Sequence, residues 1–178
     1  MINNLNRISI IGGSGTGKTT LADNIGKELN LPVCHLDGIN YHKNWVERDK
    51  KERDSIIMKK INENKWIIEG TYRSTLTPRL ERSDLIIYLD YSTFAQVKGV
   101  LMRFFKSHKH EKKEIPGCNE QMSFKFLMFV IKWRKNKRHE VMEKINNIED
   151  KSKIIIFKNR KLLNKWYKKE FNKKINSV

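Results

Sequence analysis

Several absences narrow this 178-residue chain before any motif is considered. Cysteine is scarce. Cys34 and Cys118 form neither a disulfide framework nor a metal-binding spacing, and both are expected to be reduced thiols in a cytosol. Long apolar runs are missing too: a bilayer-spanning helix needs roughly 20 such residues. The richest stretch, Phe124 to Trp133, is broken by Lys125 and Lys132. Near the start, Arg7 precedes a strand and then glycines, so the apolar core of a signal peptide is not expected and the predicted location is cytoplasmic. There is no internal repeat and no interdomain linker, which predicts one domain over 1–178. Acidic residues are few, 20 against 37 Lys and Arg, leaving a formal charge of +17. Hydrophobic residues at 38% and aromatics at 10% argue against disorder.

The charge is unevenly spread. Residues 1–97 hold 14 Lys/Arg and 12 Asp/Glu, whereas 98–139 hold 12 against 3 and 150–178 hold 10 against 2. Two late basic blocks therefore carry the excess. They suit nucleic acid, a polyphosphate substrate closed over by a basic lid, or a solvated surface, since 27 of the 37 basic residues are Lys.

One stretch carries specific chemistry. Ile8, Ser9, Ile10 and Ile11 read as a strand, and Gly12, Gly13, Ser14, Gly15, Thr16, Gly17, Lys18, Thr19 match G-x-x-x-x-G-K-[ST]. Thr20, Leu21 and Ile25 then begin an amphipathic helix. Phosphate oxygens need several converging N–H donors, and glycines let a loop curl around them without side-chain clashes. The helix adds its free N–H groups and positive dipole end. Lys18 is expected to reach the β- and γ-phosphates and the Thr19 hydroxyl to ligate Mg²⁺. The predicted ligand is a nucleoside triphosphate.

Further along, strands are predicted at 33–36, 66–69, 85–90 and 153–157, and helices at 18–29, 49–64, 77–81, up to 107, 121–147 and 161–175. Residues 39–47 read as irregular and 108–120 as a charged loop. Five apolar strands alternating with helices imply an α/β architecture, a parallel sheet covered on both faces. Ligands then collect at the carboxyl ends of the strands, where Asp37, Glu69, Asp90 and the glycine-rich loop all fall.

This layout resembles the adenylate-kinase-like branch of P-loop kinases, and within it the bacterial topology modulation (FlaR-type) proteins. The resemblance rests on Gly12 to Thr19, His35-Leu36-Asp37, Trp45-Val46, Ile67 to Arg73, Arg79 to Asp84, Leu89-Asp90 and Pro116-Gly117-Cys118. It implies a three-layer P-loop fold with strand order 2-3-1-4-5 and a helical lid at about 104–135. It also implies a nucleotide-dependent phosphotransferase whose acceptor the motifs do not name.

The segment Glu69 to Arg73 resembles Asp-Gly-Phe-Pro-Arg of nucleoside monophosphate kinases, where the arginine grips the acceptor's phosphate. Here Glu replaces Asp and the proline is missing. By the same resemblance Asp37 serves the acceptor hydroxyl or, through water, Mg²⁺, and Glu69 is a water-mediated Mg²⁺ partner. Adenylate kinases carry two arginines nine and thirteen residues beyond the aspartate that matches Asp90. The first position here is Gly99 and only the second is Arg103. The resemblance also points to Arg134 and Arg138, which one helical turn places on a shared face: either they close on the triphosphate, or with Lys132, Lys135 and Lys137 they form a solvated basic face. Arg79 and Arg82 have a plain alternative in pairing with Glu81. Asp90 is expected to be structural. Tyr41, Trp45 or Tyr72 would stack on a base or pack in the core, and Asn159 is a weak base contact. His108 and His110 have no metal-ligand company.

The expected function is transfer of the γ-phosphoryl group of ATP, with Mg²⁺, to a nucleotide-like or hydroxylated small molecule. The alternative is a nucleotide-dependent DNA- or RNA-binding, topology-modulating protein. Charge alone supports that alternative, since no helix-turn-helix or aromatic-basic motif is found.

Overall fold

The computed structural model describes residues 5–107, 115 and 123–175. Its centre is a parallel sheet of five strands in the order β2-β3-β1-β4-β5, as the resemblance implied. The strands are β1 (Arg7–Gly12), β2 (Val33–His35), β3 (Trp66–Glu69), β4 (Leu85–Leu89) and β5 (Ile154–Phe157). Isoleucine dominates them because strands buried on both faces need β-branched apolar residues throughout. Ile8, Ile10, Ile67, Ile86 and Ile87 have no solvent exposure.

Eight helices accompany the sheet among the described residues: α1 (Lys18–Leu29), α2 (Leu36–Asn40), α3 (Lys50–Ile61), α4 (Leu76–Arg82), α5 (Thr93–Ser107), α6 (Phe124–Asn136), α7 (Arg138–Asn146) and α8 (Arg160–Phe171). Local chemistry sets their ends. Asn30 stops α1 in the left-handed conformation. The Asp49 carboxylate caps α3 by accepting from the N–H groups of Lys51 and Glu52. Ser123 caps α6 through the Phe126 N–H, and Asn159 caps α8 through the Leu162 N–H.

Two cores flank the sheet. Leu21, Ala22 and Ile25 of α1 pack with Leu163 and Tyr167 of α8 on one face. Leu76 and Leu80 of α4 pack with Trp133, Val141 and Ile145 on the other. A third cluster joins Leu36, Ile57, Ile61 and Trp66 under α2 and α3.

The structure corrects three expectations. Leu36 leaves the sheet and begins α2. The closing helix ends at Phe171, where Asn172 takes the left-handed conformation. The single helix predicted over 121–147 is two, broken at Lys137 (φ −124°, ψ −24°). On one straight helix Trp133 and Ile145 would point about 120° apart, at 100° per residue. The break lets both enter one core. Of the predicted lid at about 104–135, the described residues are 104–107 at the end of α5, Ile115, and 123–135, most of them in α6. His108, His110, Pro116, Gly117 and Cys118 lie outside the described residues. Among the described residues no helix is long and apolar enough to cross a membrane.

Candidate functional site at the carboxyl edge of the sheet

Strand register brings the candidate residues together. Ile10 lies opposite Glu69 of β3, and Gly12 opposite Leu89 of β4. The glycine-rich loop, Glu69 and Asp90 therefore share one edge of the sheet. Gly17 ends the loop with φ 88°, a left-handed turn that lets α1 begin at Lys18 with its N–H groups facing the loop. The Lys18 ammonium folds back to the Gly13 carbonyl at 3.0 Å, and the Thr16 hydroxyl donates to the same oxygen at 2.9 Å. Ser14, Gly15 and Thr20 complete the loop and the first turn of α1.

Beside it runs a chain of polar contacts. The Thr19 hydroxyl donates to Glu69 Oε1 at 3.2 Å. His35 Nδ1 lies 3.1 Å from the same oxygen, while its Nε2 lies 3.2 Å from Asp23. Glu69 is 4% exposed at its side chain. Burial alone would raise its pKa. The His35 hydrogen bond, the Lys18 charge and the Thr19 hydroxyl outweigh that and hold the carboxyl below the usual carboxylate range. An ionised carboxylate beside a helix-start hydroxyl is a hard oxygen donor set of the kind Mg²⁺ prefers. Among the described residues no three His, Cys, Asp or Glu side chains cluster as a metal cage. A cation here would thus depend on phosphate oxygens and water for most of its ligands, the usual Mg²⁺ arrangement.

Asp90 has a defined role. Its side chain has no solvent exposure and receives Arg134 Nη1 at 2.8 Å, Arg138 Nε and Nη2 at 2.8 Å each, and Lys158 Nζ at 2.6 Å. Burial opposes ionisation, but the Arg138 and Lys158 hydrogen bonds and the Arg134 charge bring its pKa down to about 2. Arg134 also donates to the Tyr91 carbonyl at 3.0 Å. The two arginines do converge, although the helix break lies between them, and their shared target in this structure is a carboxylate.

On the far side, Arg73 pairs with Glu140 of α7. The exposed Asp37 carboxylate accepts from the Tyr72 hydroxyl at 3.0 Å, and the Arg53 guanidinium lies 5.1 Å over the Tyr72 ring. Tyr41 and Trp45 meet edge to face, centroids 5.2 Å apart, and the Tyr41 N–H donates to the Asp37 carbonyl at 3.1 Å. A cavity of about 520 Å³ opens here, lined by Lys50, Arg53, Thr71, Tyr72, Arg73, Ser74, Glu140 and Lys144. The Thr71 hydroxyl also accepts from the Gly12 N–H (3.1 Å) and donates to the Gly12 carbonyl (2.9 Å).

Other predicted residues fall elsewhere. Arg79 does not pair with Glu81: it is fully buried, and its Nη2 donates to the Gly70 carbonyl at 2.7 Å. Arg82 donates to the Ile61 carbonyl at 2.9 Å. Asn159 spends its side-chain oxygen on capping α8. Arg103 lies half-buried on α5. Gly99, where adenylate kinases have an arginine, rests directly on the loop. A β-carbon there would stand 2.0 Å from the Gly15 carbonyl oxygen. Gln96 covers Gly13 in the same way, with its Nε2 held by the Tyr91 carbonyl at 2.9 Å. Sequence does not single out His35, Thr71 or Gln96 as site residues. His35 ends β2 and Thr71 lies two residues past β3, a position at strand ends that would draw attention to both, whereas Gln96 lies inside α5 and carries no such signal.

The family model described as ATPase family associated with various cellular activities (AAA) matches residues 8–90, from β1 to Asp90. No curated protein sequence matches the chain. Among solved structures, shikimate kinase from Acinetobacter baumannii in complex with shikimate is similar at TM-score 0.57 and 16% identity, over 98% of each chain. Shikimate kinase from Bacteroides thetaiotaomicron is similar at TM-score 0.53 and 17% identity, over 93% of each chain. At such identities the likeness is one of fold: an α/β P-loop architecture with kinase neighbours.

Proposed function

We propose that the chain is an ATP-dependent small-molecule kinase. The observation that carries this reading is that the phosphate loop and a cavity lined with basic residues lie side by side at one edge of the sheet. The phosphate loop, with Lys18 and the Thr19–Glu69 pair, is tied through Thr71 to a cavity lined with basic residues. Such a cavity suits an acceptor bearing phosphate or carboxylate as well as a hydroxyl, and Arg73 and Arg53 would offer it planar donors. The likeness of the sequence to topology modulation proteins is compatible with this chemistry.

In the reaction the acceptor's hydroxyl oxygen forms a bond to the γ-phosphorus while the bond from that phosphorus to the β–γ bridging oxygen breaks. The hydroxyl proton passes to a base, for which Asp37 is the candidate, two residues beyond β2 in the first turn of α2. Mg²⁺ would be held by the Thr19 hydroxyl and, through water, by Glu69 and Asp37; when bound it supplies neutralising charge to the phosphates. Lys18 orients the β- and γ-phosphates. Arg103, Arg134 and Arg138 would face the charge that develops on the transferring group, the latter two held in place by Asp90.

The test is a screen of phosphorylated, carboxylated and plain polyol acceptors with ATP and Mg²⁺, read as ADP formed and product mass. A phosphorylated acceptor whose formation falls at least a hundredfold in Lys18→Ala supports the reading. No product from any acceptor class, with ATP turnover equal in wild type and Lys18→Ala, removes it.

A further inference from the structure

The phosphate loop has a second cation that the motif does not contain. Arg160, the first residue of α8, lays its guanidinium over Gly17. A β-carbon on Gly17 would stand 2.8 Å from Nη2 and 3.7 Å from Cζ of Arg160. Gly17 is the N-cap of α1, so this positive group sits against the positive end of a helix and next in sequence to Lys18. Neither α1 nor α8 has an acidic residue in its first turn, and among the described residues no carboxylate pairs with Arg160. Glu69, the carboxylate nearest in the polar chain, is already committed to Thr19 and His35.

Arg160, Lys18 and the N-terminus of α1 are all positive, and Glu69 is the acidic group whose charge acts on Lys18, so Arg160 is left to repel its positive neighbours. An anion bound between them removes that repulsion. The α5 side of the loop offers no such group at position 99, because Gly99 is pressed onto the Gly15 carbonyl and no side chain fits there. The cation comes instead from the α8 side, where the close approach is possible only because residue 17 is glycine.

We infer that Arg160 is a donor-side phosphate ligand, its guanidinium engaging α- or β-phosphate oxygens of the nucleoside triphosphate held by the loop. This assignment rests on the nucleotide-binding reading given above. Arg160 would supply, from a different helix, a positive group that the glycine at 99 cannot provide. A guanidinium suits this better than an ammonium, since its planar fork donates two parallel hydrogen bonds to phosphate.

The experiment measures binding of ATP and of inorganic tripolyphosphate to wild type, Arg160→Ala and Arg160→Lys by isothermal calorimetry. Thermal unfolding of each ligand-free protein runs in parallel. Expected are a tenfold or greater loss of affinity for both ligands in Arg160→Ala, the size of one charge-assisted hydrogen bond, and partial recovery in Arg160→Lys. The ligand-free melting temperature should stay the same or rise, because a repulsive charge has been removed. A purely structural Arg160 would instead lower that temperature and leave affinity unchanged. ATP affinity in Arg160→Ala within twofold of wild type overturns the inference, as does a loss confined to ATP with tripolyphosphate unaffected. If wild type binds neither ligand, the nucleotide-binding reading fails, and this inference with it.

Discussion

Replacing Asp90 by Asn keeps the shape of the side chain and removes the one negative charge on which Arg134, Arg138 and Lys158 converge. Four hydrogen bonds of 2.6–2.8 Å end on this carboxylate, which has no solvent exposure. Leaving buried charge unpaired costs about 3–5 kcal/mol. The three cations are 34%, 30% and 57% exposed, so water recovers part of their solvation. The lower end of the range applies, about 3 kcal/mol. For a chain of this size that corresponds to a fall in melting temperature of about 6–12 °C. Thermal and urea unfolding followed by circular dichroism at pH 7 would read it.

The pH dependence gives an independent check. Asp90's folded pKa of about 2 lies below its ordinary 3.8. The stabilisation is therefore present above the unfolded value and is lost as pH falls through the folded one. Wild-type stability should decline between pH 3.8 and about 2 partly through this group, and the Asn variant should show a shallower acid limb. A loss below about 1 kcal/mol at pH 7, the scale of a surface pair, would refute the reasoning. So would an acid limb identical to wild type.

Two further outcomes follow from the site. Gly99→Ala drives a methyl group to 2.0 Å from the Gly15 carbonyl, so the variant should lose about 1–3 kcal/mol by overpacking and bind ATP more weakly; calorimetry and melting unchanged from wild type would count against the close seating of α5 on the loop. Glu69→Gln removes the charge that faces Thr19 while keeping its shape. The Mg²⁺ concentration that half-maximally supports ATP binding should rise about tenfold, the worth of one charge-assisted hydrogen bond, and an unshifted Mg²⁺ titration would exclude Glu69 from the cation's surroundings.

Much of the fold was legible because its strands are buried on both faces. Runs such as Ile86-Ile87-Tyr88 are apolar at every position, and their ends locate Glu69 and Asp90 with little ambiguity. The phosphate loop was legible for a different reason: its backbone geometry demands glycine at set intervals. What remained hidden depends on partners distant in sequence. The cations on Asp90 come from 44 to 68 residues away. For Arg79 the sequence offers pairing with Glu81 as the plain alternative to a site role, but packing buries it under Gly70. The break at Lys137 leaves no proline or glycine as a marker; it exists because Trp133 and Ile145 are wanted by the same core. Position 99 stands out in the sequence as unusual, yet only its place against the loop in three dimensions shows why a glycine is required there.

Thr71 has a wider consequence for how this architecture acquires new substrates. One hydroxyl both gives to and takes from the Gly12 residue, so the turn after β3 is pinned to the start of the phosphate loop. Were the chain the kinase proposed above, the spacing between donor and acceptor would be inherited with the sheet, and a near-attack distance would not have to be rediscovered for each new acceptor. Variation would then be left to the opposite walls, formed by Lys50 and Arg53 on α3 and Glu140 and Lys144 on α7. On that reading selectivity and reach would be separated: one would reside in the helices, the other in a threonine.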